Sequence, residues 1–140
     1  MLWFKEYQLE EFVSFQKGTL LESLGINLTE LGADFLAGTM PVDERTRQPF
    51  GVLHGGASVA LAETLGSVAA SLVIDSEKFI AVGLDINANH LRPVANGSVR
   101  GVASAVFIGK KTQVWEIKIT DERTGKLNCI SRLTMAVLPK

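Results

Sequence analysis

At 140 residues the chain is long enough for one compact core and too short for two ordinary domains. Apolar residues make up 46% of it and charged residues 21%, a balance that excludes a disordered chain, while a net charge of -1 removes any general electrostatic case for nucleic acid. One cysteine, Cys129, and two histidines, His54 and His90, supply neither a disulfide framework nor a cysteine-based metal cluster, so no metal and no cofactor is expected.

The amino terminus, Met1-Leu2-Trp3-Phe4-Lys5-Glu6, lacks the basic start, apolar stretch and small-residue cleavage site of a secretion signal, and a cytoplasmic location is expected. Leu9 to Phe15 carry apolar side chains at helical spacing and predict a short amphipathic helix. Two short strands follow, Ile26 to Leu31 and Phe35 to Pro41, with Gly32-Ala33-Asp34 as the turn between them. Val42 to Phe50 is polar, contains Pro49, and reads as loop. From Gly56 to about Asp75 the spacing predicts one long helix, apolar on most sides and therefore surrounded by other structure rather than spanning a membrane.

Beyond it the period changes to two. Phe79 to Asn89, Ser98 to Ile108, Thr112 to Thr120 and Leu127 to Leu138 are each expected to be strands. In the third of these, Trp115, Ile117 and Ile119 point one way while Val114, Glu116 and Lys118 point the other. Ala95-Asn96-Gly97 and Asp121 to Gly125 suit antiparallel hairpins. One long helix embraced by a curved antiparallel sheet of five or six strands, in a single domain over residues 1–140, is the expected α+β architecture.

Glu63 stands out in the helix, amid Ala57 to Ile74. A carboxylate left unpaired inside an apolar core costs several kcal/mol, so its presence calls for a reason. Gly56, Ala60, Ser67 and Ser71 share its face. The helix is entered through Gln48-Pro49-Phe50-Gly51-Val52-Leu53-His54-Gly55-Gly56, and a helix start offers free backbone N–H groups to negative charge. An acid and such donors together are what is needed to attack and polarise a carbonyl. Gly55 and Glu63 are eight residues apart, about 12 Å of rise on one helix, too far to meet on one carbonyl group. Two copies of the chain are therefore expected to share each site, one giving the helix start and the other the acid. His54 either orients a ligand or caps the helix; Gln48 either donates to a carbonyl or water or is plain loop. Asn87 to Pro93 ends a strand with two amides, a histidine and an arginine, and Lys110-Lys111 is a basic turn suited to phosphates, with Arg92 and Arg100 as possible supplements.

Gln48 to Gly56, followed by Ala62-Glu63 and by Gly83-Leu84-Asp85-Ile86-Asn87-Ala88-Asn89-His90, resembles the hotdog-fold acyl-CoA thioesterases, nearest the branch that hydrolyses 1,4-dihydroxy-2-naphthoyl-CoA and other aryl-CoAs. The similarity extends over nearly the whole chain, including Met40 to Asp43 and Gln113-Val114-Trp115. It implies a hotdog fold and hydrolysis of an acyl-CoA in menaquinone synthesis. Glu63 then serves as nucleophile or general base, the Gly55 N–H as oxyanion donor, Gln48 as a carbonyl or water contact, His54 as a positioning group and Ser67 as a partner of the acid or the lytic water. It implies further that Gly83, His90, Leu91, Arg92, Pro93, Phe107, Ile108, Gly109, Lys110, Lys111 and Thr112 hold the acyl-CoA substrate, and that hotdog dimers pair into a homotetramer. A carrier-protein-linked aryl thioester is an alternative substrate. A hotdog dehydratase using His54 with Glu63, and a non-enzymatic acyl-CoA-binding protein, are the competing readings.

Overall fold

The computed structural model describes residues 2–140. Six strands form one antiparallel sheet: β1 (Asn27–Leu31), β2 (Phe35–Pro41), β3 (Phe79–His90), β4 (Ser98–Ile108), β5 (Thr112–Asp121) and β6 (Leu127–Pro139), in the order β1-β2-β4-β5-β6-β3. A helix α1 (Leu20–Leu24) precedes the sheet and the long helix α2 (Gly55–Val73) lies on its concave side. The inward faces of β5 and β6 alternate as the period-two pattern predicts: Trp115, Ile117, Ile119, Leu133 and Met135 are buried against α2.

On α2, Leu61, Leu65, Ala69 and Leu72 recur at helical spacing and meet that surface. The helix is long and apolar enough to cross a membrane, but the sheet accounts for its apolar side. Close approach comes from small residues in the strands. A β-carbon at Gly101 would stand 2.6 Å from Cδ1 of Leu65, and one at Gly38 2.9 Å from Cδ2, so Leu65 sits in a depression that only glycines leave open. Trp3 stacks on Trp115, ring centroids 6.3 Å apart, and donates to the Gly32 carbonyl at 2.7 Å; the Phe4 N–H donates to the Leu72 carbonyl at 2.8 Å. The amino-terminal segment is thereby tied to both the sheet and the end of α2.

Two expectations are corrected, and α1 is an element that the sequence pattern does not announce. Leu9–Phe15 is a 3-10 helix, a tighter winding that the same apolar spacing also suits, and α1 was too short to leave a periodic signature. Ala95-Asn96-Gly97 is a turn but does not close a hairpin, because β3 pairs with β6 and β4 pairs with β2 and β5. The chain leaves one edge of the sheet there and crosses to its middle. That crossing leaves β3, twelve residues long, as an edge strand with one side unpaired.

Candidate active site

The loop into α2 is anchored before it reaches the helix. Thr46 donates to the Pro41 carbonyl at 2.6 Å, Arg47 reaches the Ala95 carbonyl at 3.2 Å, and the His54 N–H donates to the Thr46 carbonyl at 2.8 Å. Within this loop Gln48 turns its Oε1 back to accept the Phe50 N–H, which leaves the amide NH2 facing outward as a donor.

His54 is the N-cap: its Nδ1 accepts the Gly56 N–H at 2.7 Å. Of the two readings of this histidine, capping is directly visible; in the neutral ring the proton then sits on Nε2, pointing away from the helix. The Gly55 N–H has no acceptor among the described residues, as befits the first turn of a helix. The His90 imidazole packs against Gly55, and Gln48, Gly55 and His90 to Pro93 line one cleft of about 340 Å³.

Asn128, which the strand pattern treats as an ordinary β6 position, holds that cleft together. It is 5% exposed; its amide donates to the Arg92 carbonyl at 2.5 Å, its carbonyl accepts the Leu91 N–H at 2.8 Å, and its Oδ1 accepts the Ser58 hydroxyl at 3.4 Å. The exit of β3 is thus fixed to the first turns of α2. Only the three-dimensional pairing of β3 with β6 brings Asn128 there, so no local signal marks it. Arg92 spends one guanidinium N–H on the Leu127 carbonyl at 3.1 Å.

Glu63 lines a second cleft of about 310 Å³, with Ser67 and Gly83 to Ile86. It is half-buried rather than enclosed, which corrects the picture of a carboxylate sealed in the core: it projects into the gap between α2 and the edge strand, away from the sheet-packed face. No hydrogen bond engages it among the described residues, and Ser67, expected as its partner, instead lies 3.8 Å from Sδ of Met135. A β-bulge at Leu84 shifts the register between Gly83 and Asp85 and keeps Gly83 facing inward beneath Glu63, 3.8 Å from its Oε2 to the position of a β-carbon.

The turn between β4 and β5 contributes to a third space. Ile108, Gly109, Lys110 and Lys111 line a cavity of about 780 Å³ with Phe79, Val73 and the end of β6. Phe107 and Thr112, expected beside them, do not line it: Phe107 pairs with Val114 on the outer face of the sheet and is 57% exposed. The three spaces have no lining residue in common. In a single chain, therefore, the expected donors and the expected acid open onto separate clefts.

The sequence profile of the thioesterase superfamily matches residues 50–127, which include the helix start, Glu63 and the first three long strands. The chain belongs to the thioesterase superfamily. Over 138 residues it is 49% identical to 1,4-dihydroxy-2-naphthoyl-CoA hydrolase of Escherichia coli, covering 99% of this chain and 100% of that one. It is 51% identical over 138 residues to the proofreading thioesterase EntH of Cronobacter turicensis, covering 99% of each. Among solved structures, a mutant thioesterase from Pseudomonas aeruginosa superposes with a TM-score of 0.97 at 46% identity over 100% of both chains. A thioesterase from Haemophilus influenzae gives 0.95 at 51% identity, over 99% of this chain and 96% of that one. The hotdog architecture and the acyl-CoA thioesterase activity expected from the motifs are both carried by these likenesses.

Proposed function

We propose that this thioesterase hydrolyses an aromatic acyl-CoA, with 1,4-dihydroxy-2-naphthoyl-CoA as the leading candidate, at a site completed by two copies of the chain. One observation carries the reading: a free carboxylate at Glu63 and a free N–H at Gly55 lie eight residues apart on the same helix, about 12 Å of rise, in different clefts. In this reading the Gly55 N–H and the Gln48 amide of one copy hold the thioester oxygen, and Glu63 of the other copy acts at the carbonyl carbon. The C–S bond breaks and the sulfur leaves as CoA thiol once protonated. Glu63 either bonds to the carbon, giving an anhydride that water opens, or takes the proton of the attacking water. Single-turnover hydrolysis in oxygen-18 water separates the routes: label in Glu63 supports the anhydride, and its absence there sinks it.

The edge strand offers the means of assembly. β3 has an unpaired side along its length and carries exposed Ile80 and Leu84. Gly83 lies under Glu63 and His90 against Gly55. Antiparallel pairing of β3 with its counterpart brings the acid of one copy to the donors of the other when Gly83 of one strand faces His90 of the other. Counting the bulge residue out, the two-fold axis then passes through Asn87.

The aromatic preference rests on the naphthoyl-CoA hydrolase, and the likeness to the proofreading enzyme supports a carrier-linked aryl thioester as the alternative substrate. A hydrolysis screen over benzoyl-, phenylacetyl-, 1,4-dihydroxy-2-naphthoyl- and fatty acyl-CoAs, and a carrier-linked aryl thioester, tests both, with Glu63→Gln as control. Retention of wild-type rates by the variant overturns the mechanism.

A further inference from the structure

We propose that His90 is the general acid of the reaction, its Nε2 proton passing to the sulfur as the C–S bond breaks. This rests on the two-copy reading above, in which the Gly55 N–H holds the thioester oxygen and Glu63 acts at the carbon.

The sulfur and the oxygen of a thioester share one carbon, so a group that meets the sulfur must stand beside the donor that meets the oxygen. His90 stands there. The edge of its ring formed by Nε2 and Cε1 faces Gly55, at 3.0 and 3.1 Å from where a β-carbon on that residue would lie, with Cδ2 farther off at 3.5 Å. The Gly55 nitrogen is bonded to the same α-carbon, and both residues line one cleft. The ring is carried on a firm base: His90 pairs with Cys129 on β6, and Asn128 holds the Leu91 N–H and the Arg92 carbonyl just beyond it.

No other side chain of that cleft can serve. Only His90 and Arg92 among them ionise. Arg92 is committed to the Leu127 carbonyl, and a guanidinium does not release its proton. Ser58 is buried and donates to Asn128. His54, at the helix cap nearby, accepts the Gly56 N–H on Nδ1; an imidazolium has donors on both nitrogens and would have to give up that bond. His90 is under no such commitment. Neither of its ring nitrogens is hydrogen-bonded among the described residues, and the ring is exposed, so it can exchange protons with water between turnovers.

A simple alkyl thiol ionises only near about pH 8.5, so at neutral pH the sulfur departs more readily with a proton to hand. The step balances. As the carbonyl re-forms, the C–S electron pair passes to sulfur and the imidazolium proton joins it, leaving CoA thiol and a neutral ring. Hydrolysis of a thioester at neutral pH yields a carboxylate, a thiol and one proton, and that proton recharges the ring.

The test uses His90→Gln, which keeps an N–H donor but has no ionisable proton; at this exposed position its thermal melt should match the wild type. Single-turnover hydrolysis of saturating benzoyl-CoA should slow by about a hundredfold. Calorimetry with phenacyl-CoA, a thioether that cannot be hydrolysed, should show unchanged affinity. The benzoyl thioester of para-nitrothiophenol, whose anion leaves without a proton, should be hydrolysed by the variant at close to the wild-type rate. Equal slowing on both thioesters overturns the proposal, as does a loss of phenacyl-CoA affinity as large as the loss of rate. If Glu63→Gln is impaired in the same assays, that failure removes the acid alone. Selective slowing by His90→Gln beside wild-type hydrolysis by Glu63→Gln would keep the acid and remove the Glu63 mechanism.

Discussion

A β-carbon at Gly55 would stand 3.0 Å from Nε2 of His90, so the imidazole rests where any other residue would place its side chain. The first residue of α2 and the last of β3 are in this way fitted to one another. Gly55→Ala should displace His90 and tilt the first N–H of the helix, lowering kcat/KM by one to two orders of magnitude with a small change in Tm, since Gly55 lies at the helix end and outside the core. Adding His90→Ala removes the obstruction, and the double variant should lose less activity than the two single losses combined. Strict additivity in that cycle would show that the two residues act separately.

Glu63→Gln and Gln48→Ala should each be severely impaired while melting near the wild type, because Glu63 makes no intramolecular hydrogen bond among the described residues and Gln48 sits on a loop. Refolding the two inactive variants together then tests the shared site. In a mixed dimer one site collects both lesions and the other none, so random mixing should restore about a quarter of wild-type activity. No recovery in a mixture shown to exchange subunits would place both residues in one chain's site.

Asn87→Cys should oxidise to a symmetric intermolecular disulfide. At the proposed axis the two Asn87 residues face each other across antiparallel strands, where Cα atoms lie about 4.5–5.5 Å apart, within disulfide reach. Native Cys129 is buried and burial pushes its thiol up, so it should not compete. Non-reducing electrophoresis reads the result, and absence of the crosslink in a dimeric sample would rule out this register.

Asp43 accepts the Arg45 guanidinium at 2.6 Å and the Arg45 N–H at 3.0 Å, at the turn that leads to Gln48. Those hydrogen bonds, the side-chain one foremost, hold its carboxyl at about 2, below the ordinary 3.8. A depressed carboxylate contributes stability above its unfolded value, and that contribution is lost as pH falls from near 3.8 through about 2. Asp43→Asn should therefore melt slightly below the wild type near neutral pH, with the gap closing below about pH 4. A gap that persists undiminished at pH 2 would assign the loss to something other than charge.

Much of the sheet was legible because one of its faces is buried and the other is not. Trp115, Ile117 and Ile119 announce β5 by alternation, and α2 announces itself by being apolar nearly all round. Where that asymmetry fails, so does the reading. β3 is exposed on both faces over much of its length, and turn residues such as Asn96-Gly97 say that the chain reverses but not which strand it meets next. The half-exposure of Glu63 was hidden for a related reason: its sequence neighbours are apolar, but they belong to the helix face that meets the sheet. Among the site residues, Gln48, Gly55 and His90 to Pro93 fall together, as do Glu63, Ser67 and Gly83. Phe107 separates from Ile108 because neighbours on a strand point to opposite faces, and the bulge between Ala105 and Phe107 sets Phe107 on the outer one. Asn128 comes to the cleft only through tertiary contacts.

The unpaired side of β3 also bears on how a newly made chain meets its neighbours in a crowded solution. Twelve residues of open strand are a template for any extended peptide, and wrong pairings there compete with assembly. The bulge at Leu84 interrupts a flat ladder near its middle, and Asp85 sets a charge on the outer face beside it. A foreign strand without a matching irregularity would have to straighten that kink. The irregularity that keeps Gly83 beneath Glu63 is thus also a check on aggregation, and smoothing it by deleting Leu84 should yield a stickier protein as well as a slower enzyme.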